Sequence, residues 1–322
     1  MTVVAGTPLD TPTAWTGLLY TASGDIAGYV NLTKSATGRC TAALKVGAQS
    51  KSVMFMLNST GEGTAIIELG ELTATQEEDT GRMTFSLVSS GDTLSGSLRP
   101  AKRTATAEQH NIALASVDAA VPGGGYARAF VKADGVIVVA GVLPDGRPFT
   151  HKTRLSDNGS FAFYTVVSKT QTTGIVGGEF VTANLTSTDV TGELAWAMGA
   201  QPSGLHAGGV DTTLTANGSL YTPAATLPAG AVTLTASGGN LAASLVVATT
   251  ATDGLPLASV AFPGWKVSLS RAGRTGLFAA KVKDPARARA VTGGGVYLPK
   301  SNSAWGYFPG TSEGGRIQLT QP

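Results

Sequence analysis

Apolar and polar residues alternate in short runs along most of the chain, with the period of two expected where an extended strand turns one face to a core. Met83, Phe85 and Leu87 share one face of such a run; Leu241, Ala243, Leu245 and Val247 share another, and Trp265, Val267 and Leu269 a third. Between the runs stand Asp134-Gly135, Asp145-Gly146, Asn158-Gly159, Gly238-Gly239 and Asp253-Gly254. Such pairs accept positive φ and suit two-residue hairpin turns. Turns recurring about every ten residues predict antiparallel meanders rather than βαβ units.

Two stretches break the pattern. Residues 106–120, rich in Ala with Glu108, Gln109, Ile112 and Leu114, have helical character and read equally as a linker; Pro122 and three glycines follow and would end a helix there. Residues 201–230, dense in Thr, Ala, Pro and Gly, read as a second linker. The breaks predict three meanders: residues 1–105, residues 106–228 including the first linker, and residues 229–322. An open meander leaves unpaired edges that invite aggregation, so an all-β fold of barrel or sandwich bodies is expected. The three either close into one shared body or stand as tandem domains.

The segments are also related in sequence. Gly28-Tyr29 and Gly125-Tyr126 lie 97 residues apart, Gly61 and Gly159 lie 98 apart, and Gly96 and Gly192 lie 96 apart. A third, weaker copy begins at Gly264-Trp265 and continues through Arg271, Gly273, Lys281 and Val282. Matching turn glycines and flanking aromatics point to internal duplication.

Hydrophobic residues make up 42% of the chain and charged residues 14%, against about 25% charged in typical soluble proteins. The polar surface must therefore come from Thr, Ser, Asn and Gly, a palette that suits strands and turns. The net charge of +2 shows no nucleic-acid footprint. Cys40, the single cysteine, cannot form an internal disulfide. No apolar run is long enough to span a bilayer as a helix. Residues 1–10 carry no signal-peptide pattern; the chain reads as the mature part of a longer secreted protein.

Candidate chemistry is sparse. Gly310-Thr311-Ser312-Glu313-Gly314 matches a hydrolase elbow formally, but a strand is expected after it and no His lies downstream, so a turn is the better reading. His110, His151 and His206 are isolated and read as surface residues. Glu77, Glu78 and Asp79 form the one acidic cluster; three carboxylates could begin a calcium site, yet without EF-hand spacing a solvated loop is the simpler reading, and no metal or cofactor is expected. Lys281, Lys283, Arg287 and Arg289 would project in pairs from strand faces. They could hold anionic glycans or an envelope polymer, or guard a strand edge. Trp265, Trp305, Tyr307 and Phe308 are the ligand-stacking candidates, since a sugar's apolar face packs on flat rings; core packing is the competing reading. Asn-x-Ser/Thr sequons at Asn31, Asn58, Asn158, Asn184 and Asn217 arise freely in such a composition.

The strand and Asp-Gly turn spanning 126–150, with Leu143-Pro144-Asp145-Gly146-Arg147-Pro148, together with Gly294-Gly295-Val296-Tyr297-Leu298 and Trp305-Gly306-Tyr307-Phe308, resembles Gly-rich β-repeat modules of large secreted or surface proteins of verrucomicrobial and planctomycete-type bacteria. The resemblance implies an extracellular or cell-surface module and carries no functional residues with it. The function expected is a non-catalytic structural, adhesive or self-assembling surface module. A carbohydrate-binding module is the alternative, and a hydrolase with scattered acids on a β scaffold a second one.

Overall fold

The computed structural model describes residues 13–321 except 90, 168–173, 224, 226–228, 252–259, 263–264, 273–274 and 286–287. Among the described residues there is no α-helix, and no helix is long and apolar enough to cross a membrane. The strands form three eight-stranded antiparallel sheets. The first runs from β1 (Ala14–Tyr20) to β8 (Asp92–Pro100), the second from β9 (Glu108–Ser116) to β16 (Val210–Tyr221), and the third from β17 (Gly230–Gly238) to β24 (Gly314–Thr320).

In each sheet the first strand pairs with the last, which curls the meander onto itself. All sequential neighbours pair except one couple per sheet. These are β4 (Gln49–Met56) with β5 (Glu62–Ile67), β12 (Pro148–Arg154) with β13 (Ser160–Val166), and β18 (Leu245–Ala251) with β19 (Val260–Phe262). Each sheet is thus a nearly closed barrel with a single seam, a form that removes all but two strand edges.

Strand parity delivers the cores. Met83, Phe85 and Leu87 of β7 (Met83–Ser89) point inward with Trp15, Leu32, Leu44 and Leu72 in the first barrel. Phe163 packs edge-on against Phe149, His151 and Phe180 in the second, with centroids 5.3, 5.3 and 5.8 Å away. In the third, Leu234, Leu269, Phe278, Phe308 and Leu319 share one buried cluster.

The turns differ in type from the two-residue form that the Asp-Gly pairs predict. Gly135 N donates to Lys132 O at 2.9 Å and Lys132 N to Val136 O at 2.8 Å, leaving three residues in the loop. Gly135 is left-handed, with φ 74°, while Asp134 is not. This is the turn-plus-glycine hairpin, in which one αL residue restores the strand twist. The Asp134, Asp145 and Asn158 side chains each accept the amide two residues on, at 3.0–3.1 Å, which explains their type. Asp253-Gly254 lies outside the described residues.

A strand occupies the middle of each break. Residues 108–116 form β9, not a helix or linker, and residues 210–221 form β16, the closing strand of the second barrel. In β9 the five residues from His110 to Leu114 are all buried. Ala113 packs with Val296 and Leu298 of the third barrel, and Asn111 Nδ2 donates to Tyr297 O at 2.8 Å. With both faces covered, the period of two disappears from the hydropathy pattern. The run from Leu241 also begins later than expected, as β18 opens at Leu245.

The duplicated spacings hold in part. Gly28 and Gly125 both sit in the second strand of their barrels, and Gly61 and Gly159 both turn the chain at the seam with φ near 80°. Gly96 lies in an eighth strand but Gly192 in a seventh, and Trp265 opens the fourth strand of the third barrel, not the second, while Gly264 and Gly273 lie outside the described residues. The common unit is the barrel, and its loops differ enough in length to break a fixed sequence offset.

The chain divides into two compact units. The first holds the residues up to Arg103 together with Thr153–Ala162. In it the Tyr29 hydroxyl lies 2.9 Å from Thr16 Oγ1 and 3.1 Å from Thr153 Oγ1, all three residues buried. The second unit, Thr104–Lys152 with Phe163–Pro322, contains the joint between the second and third barrels. A Cβ on Gly124 would overlap the Gly306 carbonyl oxygen, and one on Gly314 the Pro144 carbonyl oxygen. Glycine lets these two walls meet backbone to backbone.

Candidate functional site

β23 (Ser303–Pro309) carries three of the four candidate aromatics, and its parity separates them. Phe308, with Ala304, points into the third core and has no exposed surface. Trp305 and Tyr307 point outward, toward the second barrel. Tyr307 is 9% exposed, and its ring lies against Gly146, where an added Cβ would overlap the hydroxyl. Burial and the neighbouring Asp145 carboxylate push its pKa up to about 12. Phe308 and Tyr307 are therefore packing residues. Trp265 is partly buried against the third core.

Trp305 is different. Its Nε1–H donates to Leu114 O at 3.3 Å, the Arg316 guanidinium lies 5.2 Å from its ring centroid, and the ring remains partly exposed. It forms one wall of a groove of about 270 Å³ between the second and third barrels. Ala113, Ala115 and Leu298 supply the rest of the apolar floor. The polar lining is Ser187, Thr215, Asn217, Ser219, Ser301 and Ser303. Thr215, Asn217 and Ser219 are spaced by two along β16, so all three present from its outer face.

A clamp holds one end of the groove. Lys300, in the 3-10 turn Pro299–Ser301, donates to Asn184 Oδ1 at 2.7 Å and to Asp189 Oδ1 at 2.6 Å. Asp189 Oδ2 in turn accepts from Leu220 N at 2.8 Å. The loop bearing Ser187 is thus tied to the turn bearing Ser301. Among the described residues, no titratable side chain lines the groove itself.

The hydroxyls and amide of this lining are not legible in the sequence. They come from three separated segments, and no local spacing marks them. Another cluster was likewise unmarked: at the same joint, Asp145 is buried with its Oδ2 3.1 Å from Arg147 Nε. Burial raises the Asp145 pKa against the pull of Arg147 and His206. His206 sits at φ 55°, edge-on to Trp196 at 6.2 Å, and its N–H donates to Ser312 O at 2.8 Å.

The other candidates fall elsewhere. A polar mouth of about 730 Å³ opens at one end of the first barrel, lined among others by Lys34, Asn58, Gln76, Glu78, Asp79 and Asp157. Beneath it Lys34 Nζ donates to Gln76 Oε1 at 2.6 Å, and Trp15 Nε1 donates to Gly81 O at 2.7 Å. Glu77 accepts from the Thr80 and Thr84 hydroxyls, which hold its carboxyl below the usual range. Glu78 and Asp79 lie on the rim, and among the described residues no three metal-ligating side chains converge. His110 and His151 are buried, at 4% and 1% exposure, and are not surface residues. Their strand parity turns them inward.

The segment 310–314 is the hairpin turn between β23 and β24. Asn240 Oδ1 fills it, accepting from Thr311 N and Ser312 N at 2.8 Å each. Ser312 Oγ accepts from Asn240 Nδ2 at 2.9 Å. A strand follows the serine where the hydrolase geometry needs a helix. Lys281 and Lys283 project from β21 (Leu277–Lys283) and Arg289 is exposed after it; Arg287 lies outside the described residues.

No protein-family model matches the chain, and no curated protein matches it. Among solved structures it is similar to the isotype 1 transferrin-binding protein B from serogroup B Neisseria meningitidis, at 11% identity and a TM-score of 0.21. The match covers 92% of this chain and 65% of that one, so the chain spans under two thirds of that protein's length. A likeness at that score carries no argument about fold or function.

Proposed function

We propose that this chain is a non-catalytic surface module that adheres by holding a neutral saccharide in the Trp305 groove. The supporting observation is the composition of the lining: a partly exposed indole beside five hydroxyl or amide side chains, with a sixth, Ser219, buried beneath them, and no titratable group among the described residues of the lining. An indole gives the apolar face of a pyranose a flat surface, and hydroxyl and carboxamide groups both donate and accept, as sugar hydroxyls require. Turnover of a glycosidic bond needs a pair of carboxyl groups across the scissile link. This lining supplies binding groups without them.

The test is a glycan array followed by calorimetry on the best neutral hit. Wild type should bind, and Trp305→Ala should lose binding by about tenfold or more, since truncating a tryptophan that anchors a ligand commonly costs about 2 kcal/mol or more. Asn217→Ala should weaken binding less. Retention of the hit by Trp305→Ala with an unchanged melting temperature would sink the proposal.

A further inference from the structure

The chain-wide balance of +2 conceals a segregation of charge. Residues 260–300 contain eight basic residues and one acidic residue, Asp284, so the remainder of the chain is net negative. The structure shows how part of this surplus is displayed. In β20 (Trp265–Ala272) Val267 and Leu269 are buried and Lys266 is exposed; in β21 Phe278, Ala280 and Val282 are buried, leaving Lys281 and Lys283 outward. Lys266 is the direct cross-strand partner of Lys283, and Ser268 that of Lys281. Like charges opposed at about 5 Å repel and destabilise a sheet unless something neutralises them. Among the described residues none of the three lysines makes an ion pair or a hydrogen bond. Arg289, exposed in the turn after Lys283, adds a fourth cation at the same end. Asp284 is 2% exposed and so offers this face no surface countercharge.

We infer that the outer face of β20 and β21 is a docking surface for an anionic polysaccharide. Charge complementarity selects a polyanion, and the rest of the face selects its kind. Ser268 and Thr292 stand beside the lysines as cross-strand partners of Lys281 and supply hydroxyls to a sugar backbone. Among the described residues pointing outward here there is no aromatic ring on which a nucleic-acid base could stack, and the one large apolar side chain, Leu277 at the far end of β21, is partly buried against Ala113, Val296 and Leu298 and so not free to enter a membrane. This surface is independent of the Trp305 groove, so either proposal can fail without the other.

The experiment uses fluorescence anisotropy with a size-defined heparin oligosaccharide across a salt series. Neutral dextran, a DNA duplex and phosphatidylserine vesicles serve as comparison ligands. Heparin should bind, with affinity falling steeply between about 50 and about 300 mM salt as counterions are released. Lys281→Gln with Lys283→Gln should cost about tenfold or more at low salt, Lys266→Gln alone should cost less, and Trp305→Ala should change nothing. The substituted positions carry outward side chains and the substitutions remove a like-charge repulsion, so the circular dichroism melt should match or exceed wild type. The proposal is overturned by an absence of heparin binding at low salt, by lysine variants that bind as wild type does, or by DNA or vesicles binding more tightly than heparin.

Discussion

His206 stands in a left-handed conformation between two barrels, and the balance of forces on its ring sets a sign. Burial, the largest effect, lowers its pKa below the ordinary 6.5, while the Asp145 and Glu313 carboxylates pull upward and Arg147 pushes down with burial. The folded protein therefore binds a proton here less readily than the unfolded chain, and stability is lost as pH falls through about 6.5. Asp145 acts oppositely: burial raises its carboxyl above 3.8, so the stability it withholds at neutral pH returns as pH falls through the raised value. The two groups thus act in opposite directions on acidification. A melting temperature followed from pH 7.5 down to about 5.5 should fall, and His206→Gln should flatten that decline. An unaltered slope in the variant would assign the pH dependence to other groups.

At the level of the strand, the seam of the first barrel shows what holds an unpaired edge closed. β4 and β5 share no ladder, yet Asn58 N donates to Glu62 O at 2.7 Å at one end. At the other end Lys51 pairs with Glu68, an exposed ion pair across the gap. Met54, Met56 and Ile66 flank the seam at 59%, 56% and 89% exposure. An edge bordered by apolar side chains is a template for another chain unless charge blocks it. Lys51→Ala with Glu68→Ala strips both charges from the open end, and light scattering over a concentration series should then show increased self-association with little change in melting temperature. A strictly monomeric variant would show that the ion pair does not guard the edge. The same reasoning explains what was legible in the sequence. Strands with one buried face, such as Met83–Ser89, announced themselves through alternation. β9 did not, because Ala113 and Asn111 cover its outer face with a second barrel and erase the polar half of the pattern. Trp305 and Phe308 stood together as ligand candidates, because which face of β23 is inward depends on residues far away in sequence. For that reason the groove, assembled from the loop of Ser187, β16 and the turn of Ser301, had no local signature.

At the scale of the molecule, the second compact unit poses a question that its joint answers. Two barrels in tandem can behave as separate cooperative bodies or as one, depending on whether the contact between them is a wet polar interface or an extension of the core. Here Asn111 is fully buried and spends its amide on Tyr297 O, Gln109 Nε2 donates to Thr275 O at 3.0 Å, and Val296 packs with Ala113 at zero exposure. Separation would exchange those hydrogen bonds for bonds to water, a net loss of about 0.5–1.5 kcal/mol each, on top of the apolar surface exposed. The glycines at Gly124, Gly306 and Gly314 make the approach possible, because a methyl group at Gly124 or Gly314 would occupy the space of a facing carbonyl oxygen. The second and third barrels should consequently open as one unit. In hydrogen exchange under a denaturant series, the slowest amides of β15 (Val190–Met198) and β22 (Val291–Leu298) should converge on a single opening free energy. Gly124→Ala should drive the two walls apart, so that the amides of β15 and β22 open with different free energies and unfolding shows two steps. Distinct isotherms already in wild type would mean that the barrels fold independently, and the shared groove would then form only after both are complete.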